Sequence, residues 1–85
     1  MNRNKIKAWV ISRIESHGML PTNCTVDTFN YIEKGYIDSM ALLKFIIDIE
    51  MHFDISFSDE DIMSEGIRTI GGMVDFIENS VKNHN

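Results

Sequence analysis

The chain has 85 residues, of which 44% are hydrophobic, and this is enough for one small domain with a modest core. Thirteen acidic residues against eight basic ones give a formal charge of -5, which would repel nucleic-acid phosphates and anionic membrane surfaces. We therefore expect a single domain over residues 1–85, a monomer with basic protein partners, no nucleic-acid partner and no membrane insertion.

The cysteine content and the first residues indicate the compartment. Cys24 is the single cysteine, so neither an intramolecular disulfide nor a cysteine-based metal cluster can form, and a reducing compartment fits best. The segment after Met1 lacks the apolar core and cleavage site of a secretory signal, and no apolar run is long enough to span a membrane. We expect a cytoplasmic protein in which Cys24 is a loop residue without a special role.

Apolar residues at helical spacing predict a first helix from about Asn4 to Ser16. Gly18 is a suitable left-handed cap after it. Residues 18 to 38 then form a long irregular stretch that is rich in turn-forming residues. We expect five apolar side chains to pin this loop onto the helices: Leu20, Val26, Phe29, Ile32 and Ile37.

A serine stands at the start of the second predicted helix, which runs from Ser39 to Phe53. Gly35 can take a positive φ, and Asp38 is among the best residues for capping the first turn. Ser39 is therefore expected at a defined and exposed place. The positive end of the helix dipole would favour an anion there, such as a phosphate ester, by about 0.3–1 kcal/mol.

The second predicted helix divides into three faces when it is projected at about 100° per residue. The core face holds Leu42, Phe45, Ile46, Ile49 and Phe53, and the polar face holds Ala41, Lys44, Asp48 and His52. The remaining strip, in line with Ser39, holds Met40, Leu43, Ile47, Glu50 and Met51. Such an apolar flank often marks an interaction site, although a neighbouring helix or loop covering it is the alternative. We expect the following residues to contact partner proteins: Met40, Leu43, Lys44, Ile47, Glu50 and Met51.

Two further helices are predicted after the second. Ser58 caps a short third helix with Ile62 and Met63 on its apolar side, and Thr69 caps a last helix. The last helix turns the following residues inward: Ile70, Met73, Val74, Ile77 and Val81. Gly71 and Gly72 are expected to allow close packing against the second helix. The acidic cluster before Met63 does not follow the calcium-loop pattern, so no metal site is expected.

A catalytic serine is the first functional hypothesis to test against these residues. A nucleophilic serine needs an adjacent base and an oxyanion site, and the chain has no Gly-x-Ser-x-Gly elbow. His52 would lie roughly 20 Å from Ser39 along the same helix. We therefore expect no catalytic residue in this chain, and Ser39 is better interpreted as the substrate of a separate transferase.

The Asp38-Ser39-Met40 triplet after Gly35, and the apolar helix that follows, resemble the acyl carrier protein family, whose motif is Asp-Ser-Leu. The resemblance extends along most of the chain. It implies an all-α fold, a small four-helix bundle with a long first loop and a short third helix. It also implies that Ser39, beside Asp38, carries a 4'-phosphopantetheine arm from coenzyme A whose thiol holds an acyl group as a thioester. The implied partners are a phosphopantetheinyl transferase, an acyl- or aminoacyl-loading ligase, and downstream synthase or transferase enzymes.

Departures from the family pattern indicate a specialised member. Carriers of fatty acid synthesis typically show acidic residues at several places on the exposed side of this helix, and here Lys44 and Met51 stand at two of them while Glu50 is kept. This favours a specialised pathway of lipid or secondary metabolite biosynthesis. Asp-Ser-Met is also what D-alanyl carrier proteins often show, so an aminoacyl carrier is the nearest alternative. A second alternative is an unmodified helical adaptor that uses the apolar flank of the second helix.

Overall fold

The computed structural model describes residues 2–22 and 25–84, and Cys24 lies outside these ranges. The described chain forms α1 (Arg3–Glu15), α2 (Ser39–Phe53), α3 (Asp59–Met63) and α4 (Ile70–His84). Two 3₁₀ turns, Val26–Thr28 and Glu65–Arg68, precede α2 and α4 respectively. The prediction of an all-α four-helix bundle with a long first loop and a short third helix is therefore confirmed. Of the helices described, none is both long and apolar enough to cross a membrane.

The core lies between the apolar faces of the three long helices. Its helical members are Ile6, Val10 and Ile14 from α1, Phe45, Ile46, Ile49 and Phe53 from α2, and Ile70, Met73, Val74 and Ile77 from α4. Full burial of one such side chain contributes about 1.5–3 kcal/mol. Leu42 and Val81, predicted to lie in the core, are only partly buried at its edge. The backbone of α4 lies closest to α1 and to the two 3₁₀ turns.

Tyr31 anchors the long first loop, and its position was not predicted from helical periodicity. Its side chain is 0% exposed, and its hydroxyl donates a hydrogen bond to the carbonyl oxygen of Ile67. Next to it, Asn30 and Thr69 form an antiparallel bridge, an isolated pair outside any strand. These contacts fasten the loop to the segment before α4. The five apolar residues expected to pin the loop do pack against the core. Phe29 and Ile37 are buried, and Leu20, Val26 and Ile32 are partly buried.

Gly71 and Gly72 allow a close approach of α4, but not the approach to α2 that the sequence suggested. A Cβ on Gly71 would lie 2.7 Å from the carbonyl oxygen of Asp27, in the first 3₁₀ turn. A Cβ on Gly72 would lie 1.7 Å from the carbonyl oxygen of Gly66, in the second. The prediction about their neighbour was therefore wrong, because the glycines face the two turns. The predicted Thr69 cap is present, since its Oγ1 accepts a hydrogen bond from the Gly72 N–H at 3.1 Å.

The short third helix begins at the predicted cap. Ser58 Oγ accepts a hydrogen bond from the Asp61 N–H at 3.1 Å, and Asp61 Oδ2 accepts one from the Ser58 N–H at 2.9 Å. This reciprocal pair is a capping box. The helix ends after five residues, so it has only one full turn with which to face the core. Ile62 packs against the core, whereas the inward position predicted for Met63 is wrong because that side chain is 79% exposed.

We predict that Tyr31→Phe lowers the free energy of unfolding by about 1–3 kcal/mol, because the buried Ile67 carbonyl loses its partner. Tyr36→Phe is the matched control. The Tyr36 hydroxyl donates to the Met19 carbonyl oxygen at 2.7 Å in an exposed setting, so its loss should cost only about 0.5–1.5 kcal/mol. Chemical denaturation of both variants measures the difference. Equal losses would show that Tyr31 has no special structural role.

We predict that Tyr31→Phe also changes how the free energy of unfolding depends on pH in alkaline solution. Burial raises the pKa of the Tyr31 hydroxyl above its ordinary value of 10.0. Above about pH 10 the unfolded chain releases a proton that the folded chain retains, so stability should fall as the pH rises through this range. Tyr31→Phe removes this contribution, and its stability should decline less steeply with pH than that of wild type.

Candidate functional site

The turn before α2 connects the buried Tyr31 to the exposed start of the helix. The carbonyl oxygen of Tyr31 accepts hydrogen bonds from the N–H groups of Tyr36 and Ile37, at 3.0 and 3.2 Å. Gly35 lies in this turn with a φ of 80°, as predicted, and a Cβ there would meet nothing within 4 Å. Glycine is therefore needed here because it adopts a positive φ easily, and not because a side chain would lack space. Because Tyr31 is buried, these hydrogen bonds also hold the residues just before Ser39 in place.

Asp38 caps α2 in the way the sequence predicts. Its backbone is extended, and its Oδ1 accepts a hydrogen bond from the Ala41 N–H at 2.8 Å. Its carbonyl oxygen accepts the first bond of the helical series, from the Leu42 N–H at 2.8 Å. Since a first helical turn has N–H groups without partners in the helix, the end that α2 presents here is electropositive.

Ser39 is the first residue of α2, and it is exposed. Within residues 2–22 and 25–84 its hydroxyl takes part in no hydrogen bond, unlike that of Ser58, which caps α3. The Ser39 hydroxyl is thus free to react and is held at a fixed point by the cap next to it. No base is bonded to it in the described chain, so the arrangement suits a group that is modified by another protein.

The strip beside Ser39 is open to solvent. The exposed fractions are 84% for Met40, 54% for Leu43, 53% for Ile47 and 80% for Met51. The alternative that a neighbouring helix or loop covers part of the predicted strip holds at Glu50, which is half-buried against the loop after α2, but not at these four exposed residues. We call these four residues the apolar strip. It begins one residue after Ser39 and continues to the last turn of α2.

Glu50 has a structural contact that the sequence analysis missed. It is half-buried, and its Oε2 accepts a hydrogen bond from the Phe57 N–H at 2.9 Å. The ring of Phe57 in turn stacks on Phe76 of α4, with centroids 4.4 Å apart. Glu50 therefore holds the loop between α2 and α3 in place. A partner's cation could still be accepted by the other carboxylate oxygen, Oε1, because the hydrogen bond engages only Oε2.

His52, on the polar face of α2, contacts α1. The ring of His52 stacks on Trp9, with centroids 4.7 Å apart and an angle of 18° between the planes. Trp9 also meets the edge of Phe53 at 5.1 Å, and the guanidinium carbon of Arg13 lies 5.1 Å from its ring centre. Because His52 is occupied in this aromatic cluster at the far end of α2, it cannot serve as a base for Ser39.

Comparison with known proteins agrees with this geometry. Residues 31–77 match the family model described as "Phosphopantetheine attachment site", and this range includes Ser39. The "Acyl carrier protein homolog" of Mycoplasmopsis pulmonis (strain UAB CTIP) is 32% identical over 77 residues, which cover 91% of this chain and 97% of that protein. None of the solved structures matches the chain.

We predict that Asp38→Ala lowers the free energy of unfolding by about 0.5–2 kcal/mol, because the Ala41 N–H loses its acceptor. Asp38→Asn keeps a side-chain oxygen and should cost less. Asp59→Ala is the matched control, since Asp59 is an exposed acid in the first turn of α3 but not its cap. Denaturation followed by circular dichroism measures all three. If Asp59→Ala costs as much as Asp38→Ala, the charge near the helix start matters and the cap does not.

Proposed function

This chain belongs to the acyl carrier protein family, and on that basis we propose that Ser39 carries 4'-phosphopantetheine and presents an acyl thioester to enzymes of a biosynthetic pathway. Carriers of this family use that cofactor, interact with modifying and acyl-handling enzymes, and are not themselves catalysts. The observation that carries the proposal is the exposed Ser39 hydroxyl at the capped start of α2. We propose residues 1–85 as one carrier domain that works in the cytoplasm.

The surroundings of Ser39 fit a phosphate ester. The N–H groups of the first turn of α2 favour an anion by about 0.3–1 kcal/mol, and the Asp38 carboxylate that could repel it is engaged by the Ala41 N–H. When attached, the cofactor supplies a thiol on a flexible arm, and this thiol holds the acyl group. The chain's own residues fix the point of attachment. The base that deprotonates Ser39 would come from the phosphopantetheinyl transferase.

The apolar strip is the surface we propose for partner enzymes. It adjoins the attachment point, so an enzyme that works on the cargo can contact it at the same time. Apolar anchors at the centre of an interface carry most of its energy, and charges at the rim mainly set the association rate. Lys44 is such a rim charge. Glu50 joins the surface through Oε1, because its Oε2 is bonded to the Phe57 N–H.

The proposed cargo is an acyl group of a specialised pathway. Lys44 and Met51 support this, because carriers of fatty acid synthesis typically have acids there. Met40 after Ser39 supports the alternative of a D-alanyl or other aminoacyl cargo. Intact mass spectrometry of the protein from its native cells separates the two, since it gives the mass of whatever the arm carries. An unmodified adaptor that uses the apolar strip would show no added mass at all.

We predict that incubation with coenzyme A and a broad-specificity phosphopantetheinyl transferase adds one arm, and that Ser39→Ala abolishes the addition. Ser56→Ala replaces another exposed serine and should be modified like wild type. Ser39→Ala should change stability by less than about 1 kcal/mol, because the side chain is exposed. Intact mass and peptide mapping give the result. A wild type that several such transferases leave unmodified, or an arm on another serine, contradicts the proposal.

We predict that Ile47→Ala slows modification by the transferase roughly tenfold, as expected for the loss of an interface anchor worth more than about 1 kcal/mol. Met63→Ala is the matched control, because Met63 is an exposed apolar residue outside the apolar strip. Circular dichroism should show unchanged helical content in both variants. If Met63→Ala slows the reaction as much as Ile47→Ala does, the apolar strip is not the recognition surface.

A further inference from the structure

Two of the four residues of the apolar strip are methionines. Met40 is 84% exposed and Met51 is 80% exposed, so both side chains are open to solvent. Met73 is the opposite case, because it is 0% exposed in the core. Methionine commonly serves to fill irregular gaps in a core, and a side chain that packs against nothing cannot do so. Core packing therefore does not explain the methionines at positions 40 and 51.

Leucine would offer a partner much the same apolar surface at these two positions. Leucine and methionine have similar volumes, and exchanging them is among the best tolerated apolar substitutions. What distinguishes methionine is its thioether sulfur, which oxidants convert reversibly to a sulfoxide. The apolar strip is therefore sensitive to oxidants at Met40 and Met51, whereas Leu43 and Ile47 are chemically inert.

The two methionines lie at opposite ends of the strip and on one side of α2. Met51 follows Met40 by about three helical turns, so the two point in directions that differ by only about 20°. Leu43 and Ile47 lie between them, and Ser39 is turned about 40° from Leu43. A partner that docks along the strip to reach the attachment point therefore meets a methionine directly beside it.

We propose that Met40 and Met51 are sites of reversible oxidation, and that their sulfoxides weaken the docking of partner enzymes on the apolar strip. The inference rests on the function proposed above and adds a means of regulating the same surface. In the reaction with hydrogen peroxide, the thioether sulfur attacks one peroxide oxygen and the O–O bond breaks. The sulfur loses two electrons and keeps this oxygen as a sulfoxide, while the other oxygen takes up the proton and leaves as water.

The sulfoxide makes both ends of the strip polar. A polar group that is buried in an interface without a hydrogen-bond partner costs free energy, and an enzyme surface that fits an apolar strip offers it none. The fold should tolerate the change, since neither Met40 nor Met51 packs in the core. Oxidation is therefore expected to act on docking and not on stability.

The test treats the carrier, before the arm is attached, with a low dose of hydrogen peroxide, which catalase then removes. Peptide mapping should find sulfoxide at Met40 and Met51 and none at Met73, and circular dichroism should show unchanged helical content. With coenzyme A and the phosphopantetheinyl transferase, we expect the arm to be added roughly fivefold to tenfold more slowly than to untreated carrier, as for the loss of one interface anchor. Methionine sulfoxide reductases should restore the original rate.

Two double variants assign the effect to the strip, each compared with its own untreated form. Met40→Leu/Met51→Leu keeps the strip apolar and cannot form these sulfoxides, so peroxide should leave its rate unchanged. Met19→Leu/Met63→Leu is the matched control, because these methionines are 83% and 79% exposed outside the strip, and peroxide should slow it as much as wild type. Both variants retain Cys24, so oxidation of that thiol would slow them alike.

The possible results separate this inference from the carrier function. An oxidised wild type that accepts the arm at the untreated rate overturns the inference alone. A loss of rate that persists in Met40→Leu/Met51→Leu overturns it too, because the effect then arises outside the strip. Oxidation of Met73 as fast as that of Met40 contradicts the role given to exposure. An untreated wild type that gains no arm overturns the proposed function, and this inference with it.

Discussion

The hydrogen bond between the Tyr31 hydroxyl and the Ile67 carbonyl joins the two irregular parts of the molecule. Ordering a long loop costs about 1–2 kcal/mol of backbone entropy per residue, so a loop of this length needs contacts that hold it. Tyr31 supplies such contacts through its side chain and its backbone. Its ring is buried in the core, and its carbonyl oxygen accepts hydrogen bonds from the N–H groups of Tyr36 and Ile37. The position of Ser39 thus depends on a contact with a residue far along the chain.

Given that fixed start, α2 combines three environments on one helix. Its core face holds the bundle together, its polar face contacts α1 where His52 stacks on Trp9, and its third face leaves the apolar strip open. The N-cap Asp38 fixes where the helix begins, and it therefore fixes the direction in which each of the three faces points.

Local patterns in the sequence predicted the helices and the exposed position of Ser39 at the start of α2 correctly, but they did not predict the contacts between distant segments. The bounds of α2 and the caps at Asp38 and Ser58 depend on residues only a few positions apart, so spacing reveals them. Tyr31 and Glu50 bond to backbone groups in loops, which leave no periodic signal. The glycine pair in α4 predicted a close approach, but nothing in its spacing identifies the neighbour.

The glycines of α4 also decide where the bundle can deform. At Gly71 and Gly72 backbone meets backbone with no space for a side chain, and a close-packed contact of that kind is hard to compress. In contrast, α2 reaches its neighbours through rings, with Phe45 lying 6.4 Å from Trp9 and 5.9 Å from Tyr31 between centroids. Rings can reorient where backbone cannot. The packing therefore leaves more room for adjustment around the helix that bears Ser39 than around α4.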